Sequence, residues 1–229
     1  MTAERLLIVP SRFELEALHP ELEWPGHGVP NTWQGTDHAP VQVVSCGVGL
    51  GASGARAGAL LARLSPRRAL VLGLAGSLDE SRAPVPCLVH VSSVVVQGLG
   101  FGREGEGAEL TAPDGPLARE AEPAELSLAS AEWAGEPSWV TGAALSVARA
   151  SDAELASQRK KEHPDCLVED LESHSLVIAA AAGGVPLDIL RATCNLAGDR
   201  RHAEWKVDEA VALLRSARDH WLRETEDAS

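Results

Sequence analysis

The sequence has few of the residues that stabilise a scaffold through disulfide bonds or bound metal ions. It contains only four cysteines, scattered without a Cys-x-x-Cys pair: Cys46, Cys87, Cys166 and Cys194. A disulfide framework and a structural zinc site are therefore not expected. His27 and His38 likewise lack a partner at the spacing typical of metal ligands. We predict no metal and no other cofactor, and this cysteine usage favours a reducing cytoplasm.

Positive charge and long apolar runs are also scarce. The 229 residues include 33 Asp and Glu but only 20 Lys and Arg, which gives a formal net charge of −13. Such a chain is expected to repel nucleic acids and acidic membrane surfaces. No apolar run is long enough to cross a bilayer, and no signal peptide is expected. The length fits one α/β domain with a sizeable core.

The most informative stretch runs from Val168 to Gly198, VEDLESHSLVIAAAAGGVPLDILRATCNLAG. An acidic cluster precedes a small-residue apolar run, Ser175 to Ala182, which glycines and a proline then stop as they do after a helix. We predict a helix with the acids in its first turn, where the helix dipole would keep Glu172 ionised. Leu187 to Thr193 is then a short buried strand ending near polar Asn195. Open α/β sheets bind their ligands at such strand ends.

This stretch resembles the closing signature of the purine nucleoside phosphorylase/nucleosidase superfamily. The resemblance is carried by VEDLE, the following helix, the GVP turn and the strand RATCN. Within the superfamily, the tail NLAGDRRHAEWKVDEAVALL resembles the futalosine hydrolases of the menaquinone pathway, whereas DLESH resembles the adenosylhopane nucleosidases. The resemblance implies one α/β domain over residues 1–229, with a central mixed twisted sheet flanked by helices. It also implies a homodimer or larger homo-oligomer.

A first buried strand, Leu6 to Val9, leads into an acidic helix start. In the superfamily, a glutamate at this place activates the attacking water in the nucleosidases. The resemblance assigns that role to Glu14, with Glu16 as the alternative register. Acids at helix starts also commonly form a solvated face, and that interpretation stays open for both residues.

The segment CGVGLGASG matches the G-x-G-x-x-G pattern of dinucleotide-binding proteins through Gly49, Gly51 and Gly54. Such proteins need an acidic residue at the end of the next strand to hold the adenosine ribose. The next strand, Ala69 to Leu72, ends in GLAG instead. The dinucleotide interpretation is therefore not favoured, and a glycine turn that lets the backbone pass close to a ligand is expected.

The segment GLAGSL resembles the superfamily turn whose backbone lines the ribose and the base, which implies Ala75 and Gly76 as substrate-binding residues. In the phosphorylases an arginine usually stands on the strand before this turn and holds phosphate. Here that strand carries Val71 and Leu72. Because phosphate binding needs positive charge, the sequence favours hydrolysis over phosphorolysis.

Residues 103–138 are acidic and rich in Ala, Gly, Pro and Glu. We predict a surface excursion there, with one short helix. The following WVTGAAL resembles a superfamily strand on which many adenine-specific relatives carry a base-stacking aromatic residue, where this chain has Leu145. An amphipathic helix at about 203–223 closes the chain, with Trp205 among its predicted anchors to the sheet.

Cleavage of an N-glycosidic bond requires one group that activates the water, a second that binds the sugar and a third that contacts the base. By resemblance, Glu14 deprotonates the water and Arg191 steadies that carboxylate. Glu172 accepts hydrogen bonds from the ribose hydroxyls, with Leu171 packed beneath the sugar. Asn195 meets the purine at N7 and at the substituent on C6.

Asn195 carries the prediction about the base. Its NH₂ can donate to O6 while its carbonyl accepts from a protonated N7, a pattern that suits hypoxanthine, the base of futalosine. We therefore predict a hydrolase that releases hypoxanthine from a 6-oxopurine nucleoside such as futalosine. Two alternatives stay open: an adenine-releasing nucleosidase of the adenosylhopane or methylthioadenosine/S-adenosylhomocysteine type, and a catalytically weak nucleoside-binding relative. The alternative for Asn195 itself is a structural amide that ties the strand end to the following loop.

Overall fold

The computed structural model describes residues 4–34, 40–98, 101–102, 110–111, 125–128 and 138–226. The strands in these ranges are β1 (Arg5–Val9), β2 (Asn31–Trp33), β3 (Val41–Ser45), β4 (Arg68–Ser77), β5 (Cys87–Gln97), β6 (Phe101–Gly102), β7 (Leu110–Thr111), β8 (Glu125–Ser127), β9 (Val140–Val147), β10 (Cys166–Asp170) and β11 (Leu187–Leu196). The helices are α1 (Arg12–Leu18), α2 (Leu50–Leu64), α3 (Ala153–Glu162), α4 (Ser173–Gly183) and α5 (Val207–Glu226), with a 3₁₀ turn at His202–Glu204.

Nine of these strands form one mixed sheet, and β6 pairs separately with β7. Along the order β10-β9-β5-β11-β4-β1-β3-β2, neighbours run parallel except at β11–β5 and β2–β3. Because β10 also pairs antiparallel with β4, the strands β4, β11, β5, β9 and β10 close into a ring. The predicted fold class, an α/β domain with a central mixed sheet flanked by helices, is confirmed.

The two faces of the sheet are covered by different helices. Leu6 and Ile8 of β1 pack in the cluster that contains the buried leucines of α2 and α4. Leu7 and Val9 point to the opposite face and pack in the cluster with α1 and α5, where Trp221 is fully buried. Because both faces of β1 are buried, its sequence is a continuous apolar run rather than an alternation of apolar and polar residues.

Two strand boundaries differ from the sequence predictions. The segment GLAGSL was expected as a turn, but Gly73 to Ser77 continue β4, because β11 pairs with this strand as far as Ser77. The sequence of residues 85–96, VPCLVHVSSVVV, predicts a pair of strands, but β5 is one strand held between β11 and β9. In both places a neighbouring strand supplies partners for the backbone, and in β4 this pairing outweighs the local preference of glycine for turns.

Most of the predicted excursion at 103–138, including its expected helix, lies outside the described residues. Within it, Glu125–Ser127 forms β8 and pairs antiparallel with β5. This part of the excursion therefore contributes a strand to the main sheet.

The helix predicted at the start of the 168–198 stretch is α4, but its acids are placed differently from the prediction. Glu169 and Asp170 close β10, and Glu172 is the residue immediately before the helix. The carboxylate of Asp170 accepts hydrogen bonds from the backbone N–H groups of Glu172 (3.1 Å) and Ser173 (3.0 Å). Asp170 therefore satisfies donors at the start of α4 in the way that a capping side chain does.

Candidate active site

Three strand ends meet at Gly76 in β4. Glu169 of β10 lies opposite Gly76 on one side, and Asn195 of β11 lies opposite it on the other. The register of β11 shifts between Thr193 and Asn195, and such irregularities are common beside active sites, where they re-aim a side chain. The topology thus brings the acidic end of β10 and the polar end of β11 to one place.

A pocket of about 210 Å³ opens at these strand ends. Its wall includes six of the seven residues predicted to act in catalysis or to bind the substrate: Glu14, Ala75, Gly76, Leu171, Glu172 and Asn195. The seventh, Arg191, is fully buried and reaches the wall through an ion pair with Glu172. The predicted residues are therefore brought together, although their roles stay predictions.

The residues in and behind the wall form two groups. The carboxylate cluster consists of Glu14, Asp170, Glu172 and Arg191. The loop cluster consists of Asn195 with residues 150–151 and 197–200, which come from the loops after β9 and β11.

Glu14 is held by hydrogen bonds on both carboxylate oxygens. Oε2 accepts from the backbone N–H of Ser11 (3.0 Å) and from its hydroxyl (2.5 Å), which completes a capping box at the start of α1. Oε1 accepts from the backbone N–H of Leu74 in β4 (2.7 Å). The alternative candidate, Glu16, is half exposed, with 47% of its side chain accessible, and forms an ion pair with Arg12. Only Glu14 faces the pocket.

Arg191 joins the carboxylates of this cluster. Its Nε lies 3.0 Å from Asp170 Oδ2, and its Nη2 lies 3.2 Å from Glu172 Oε2. Nε and Nη2 also donate to the hydroxyl of Ser173, which itself donates to Asp170. A buried guanidinium is tolerable when carboxylates surround it in this way. Asp170 was not predicted as a site residue, yet it fixes both Arg191 and the start of α4.

Gly73 lets Arg191 approach Glu14. A Cβ atom built at Gly73 would overlap Arg191 Nη1 and would lie 3.2 Å from Glu14 Oε1. Nη1 is buried and has no hydrogen-bond partner among the described residues. The glycine therefore lets a guanidinium N–H and a carboxylate oxygen approach the same point, the position that its own Cβ would occupy.

Burial raises the pKa of Glu172 from 4.5 to about 7. Arg191 opposes this shift, whereas the negative charges of Asp170 and Glu14 add to it. The hydrogen bond that Oε1 accepts from the backbone N–H of Gly49 (3.2 Å) also favours the ionised form. The helix dipole was expected to keep Glu172 ionised, but removal of the carboxylate from water outweighs that effect.

Asn195 makes its contacts with the end of β11 and with the loop that follows it. Nδ2 donates to the carbonyl of Leu196 (2.7 Å) and lies 3.4 Å from that of Asp199, whereas Oδ1 accepts from the thiol of Cys194 (3.4 Å). Because a thiol is a weak donor, Oδ1 retains capacity to accept another hydrogen bond. Burial raises the pKa of the Cys194 thiol to about 11, so this pocket residue stays protonated at neutral pH.

A second buried network fixes the loop after β9. Glu169 accepts from the backbone N–H of Ser151 (2.8 Å) and from its hydroxyl (2.5 Å). Arg159 of α3 donates to the same carboxylate (2.9 Å) and to the carbonyl of Arg149 (3.0 Å). Sequence reasoning missed Ser151 as a pocket residue. The only available signal was its position just after a strand that ends beside β10.

Trp205 is the aromatic side chain of the pocket wall, and its Nε1 donates to the carbonyl of Asp199 (3.1 Å). It had been predicted only as an anchor for the last helix. Leu145, which occupies the predicted place of a stacking residue, is instead fully buried in a core cluster with Leu78 and Cys166. The structure therefore offers Trp205 as an aromatic contact for a ligand.

Two features are absent from the described ranges. No helix there is both long enough and apolar enough to cross a membrane. No group of three or more His, Cys, Asp or Glu side chains there has an arrangement that could hold a metal ion.

Comparison with known proteins places this site in a family. Residues 4–223 match the phosphorylase superfamily. A curated relative, futalosine hydrolase from Streptomyces coelicolor, is 34% identical over 136 residues. That match spans 59% of this chain and 57% of the relative.

Solved structures share the fold at low sequence identity. The Streptococcus pneumoniae MTA/SAH nucleosidase in complex with 8-aminoadenine aligns with a TM-score of 0.69 at 16% identity, over 97% of each chain. A futalosine hydrolase mutant of Helicobacter pylori aligns with a TM-score of 0.66 at 12% identity, over 97% of this chain and 100% of that one. With the family match over nearly its whole length, this chain belongs to the phosphorylase superfamily.

Proposed function

We propose that this protein is a nucleosidase that hydrolyses the N-glycosidic bond of a purine nucleoside. The observation that carries the proposal is the position of Glu14 on the pocket wall beside Glu172, with its Oε1 close to Arg191 Nη1 at Gly73. A water molecule in the pocket would donate to the Glu14 carboxylate. Glu14 would take its proton as it attacks the sugar, a contribution worth about 10²–10⁴ in rate.

The carboxylate cluster also offers hydrogen-bond acceptors for the hydroxyl groups of the sugar. Glu172 stands next to Glu14 on the pocket wall and is anchored to Gly49 and Arg191. Its oxygens would accept hydrogen bonds from the ribose hydroxyls, and Leu171 would pack beneath the ring. The positive charge that develops on the sugar in the transition state would be stabilised by these carboxylates.

The base would lie against the loop cluster and Trp205. We infer that it is a 6-oxopurine, because the curated relative with 34% identity is named futalosine hydrolase. Asn195 Oδ1 is available to accept from the N7–H of departing hypoxanthine. The other half of the predicted pattern, donation from Nδ2 to O6, would require Nδ2 to leave the carbonyl of Leu196.

That same contact supports a second candidate, an adenine-releasing nucleosidase. With Nδ2 bound to Leu196, Asn195 presents an acceptor, and an acceptor also matches a 6-amino group. Release of adenine but not hypoxanthine from nucleosides with the same sugar would select this candidate.

Hydrolysis is favoured over phosphorolysis by the charge of the site. Glu14, Asp170 and Glu172 surround one guanidinium in the carboxylate cluster, which leaves an excess of negative charge. Such a site would repel a phosphate co-substrate. We therefore expect base release to be independent of phosphate.

The test is chromatography of the products from inosine-type and adenosine-type nucleosides, with and without phosphate. The proposal expects free base and free sugar at rates that phosphate does not change. Accumulation of a sugar 1-phosphate in proportion to added phosphate would contradict hydrolysis. If no base is released from any nucleoside, although the ligands stabilise the protein to heat, the protein only binds nucleosides.

A further inference from the structure

A second cavity adjoins the pocket. It has a volume of about 550 Å³ and is bordered by α3 and by the end of β4. Residues 197–200 line both this cavity and the pocket. A single stretch of chain therefore stands between the two spaces, and we call it the partition.

The partition is fastened to the loop after β9 at two points. Gly198, with a φ of +87°, passes so close to that loop that a Cβ atom on it would lie 2.6 Å from the carbonyl oxygen of Asp152. Arg200 Nη2 donates to the carbonyl of Ala150 (2.9 Å). The first contact is close backbone packing, whereas the second is a side-chain hydrogen bond between segments 50 residues apart in the chain.

We propose that Arg200 sets the size of base that the pocket accepts, because its side chain holds the partition against Ala150 and itself lines both spaces. This inference rests on the proposed function, which places the C6 edge of a purine beside Asn195 and hence next to the partition. Truncation of Arg200 removes the hydrogen bond and the side-chain atoms between the two spaces. We expect this to open a passage from the pocket into the second cavity beside the remaining partition residues.

The lining of the second cavity indicates which substituent would enter it. Without Arg200, its charged residues are two cations, Lys160 and Arg201, and two acids, Glu80 and Asp199. This balance gives no preference for a charged group, and Leu78 and three alanines supply apolar surface. A cavity of about 150 Å³ already accommodates benzene in another protein, so a benzyl group is a suitable probe.

The experiment measures the dissociation constants of free bases by calorimetry, which does not depend on turnover. The probes are 6-benzyloxypurine and N6-benzyladenine, each compared with its unsubstituted parent, hypoxanthine or adenine. For Arg200→Ala we expect the ratio of the substituted to the parent dissociation constant to fall about tenfold or more relative to the unmodified protein. Arg201→Ala is the matched control, because Arg201 lines only the second cavity and pairs with Asp199 and Glu204 rather than with the loop after β9.

An unchanged ratio in Arg200→Ala, or an equal fall in Arg201→Ala, would overturn the inference. A fall confined to Arg200→Ala supports it even if no nucleoside is hydrolysed, in which case only the proposed catalysis fails. If neither parent base binds the unmodified protein, both the proposed function and the inference are wrong.

Discussion

The carboxylate cluster and the loop cluster belong to one pocket but are built in different ways. In the first, buried side chains bind one another and the backbone of strands, and Arg191 is fully buried among its partners. In the second, Asn195 is only half-buried and Arg200 is exposed, and their hydrogen bonds go to carbonyls at the end of β11 and in the loops after β9 and β11. The groups proposed for the chemistry are thus rigidly held, whereas the groups proposed for base selection lie where substitutions cost little stability.

The largest effect is expected from Glu14→Gln. The amide cannot take a proton from water, so kcat should fall by about 10²–10⁴. Stability should fall too, because an NH₂ group would replace an oxygen that accepts from two donors of Ser11, or the one that accepts from Leu74. Steady-state kinetics and thermal unfolding check both effects.

Glu16→Gln is the matched control for this prediction, since Glu16 lies two residues away on the exposed side of α1. Its kcat should equal that of the unmodified protein. Equal losses in the two variants, or nearly full activity in Glu14→Gln, would remove Glu14 from the chemistry.

A smaller effect is expected from the titration of Glu172, which makes the free energy of unfolding depend on pH. The pKa of Glu172 is about 7 in the folded protein and near 4.5 in the unfolded chain. The folded state therefore binds the carboxyl proton of Glu172 more tightly than the unfolded chain does. The resulting stabilisation is complete below pH 4.5 and is lost as the pH rises through 7. Its size is on the order of 1–3 kcal/mol.

Glu172→Gln lacks this titration. Between pH 4 and pH 8, chemical denaturation should therefore show the unmodified protein losing stability relative to the variant. A difference that is constant with pH, or that changes in the opposite direction, would contradict a raised pKa at Glu172.

The smallest effect is expected from Asn195→Asp, which tests the loop cluster. An aspartate can accept from a 6-amino group and, when protonated, donate to N7, so the preference should move from the 6-oxopurine towards the 6-aminopurine. We expect the ratio of the two kcat/KM values, measured on the same sugar, to change by about tenfold. If the ratio does not change, Asn195 only ties the end of β11 to its loop.

The sequence predicted the carboxylate cluster better than the loop cluster. Glu14 and Glu172 each lie just after a buried strand and beside a helix start, within the short motifs that carry the family resemblance. Arg200 and Ala150, by contrast, come from two loops without a periodic pattern, and only the path of both loops brings them together. The extension of β4 through its glycines was missed for a related reason, since β11 and β10 provide the pairing there.

The position of β11 has a consequence for the synthesis of this protein. It is the last of the described strands along the chain, yet it pairs in the middle of the sheet, between β4 and β5. Arg191 and Asn195 lie on it, so the candidate active site of a nascent chain is incomplete until this strand has left the ribosome. Until then β4 and β5 present unpaired edges, which are prone to aggregation. Chaperone binding during translation should therefore end when β11 enters the sheet, and activity should begin at that same step.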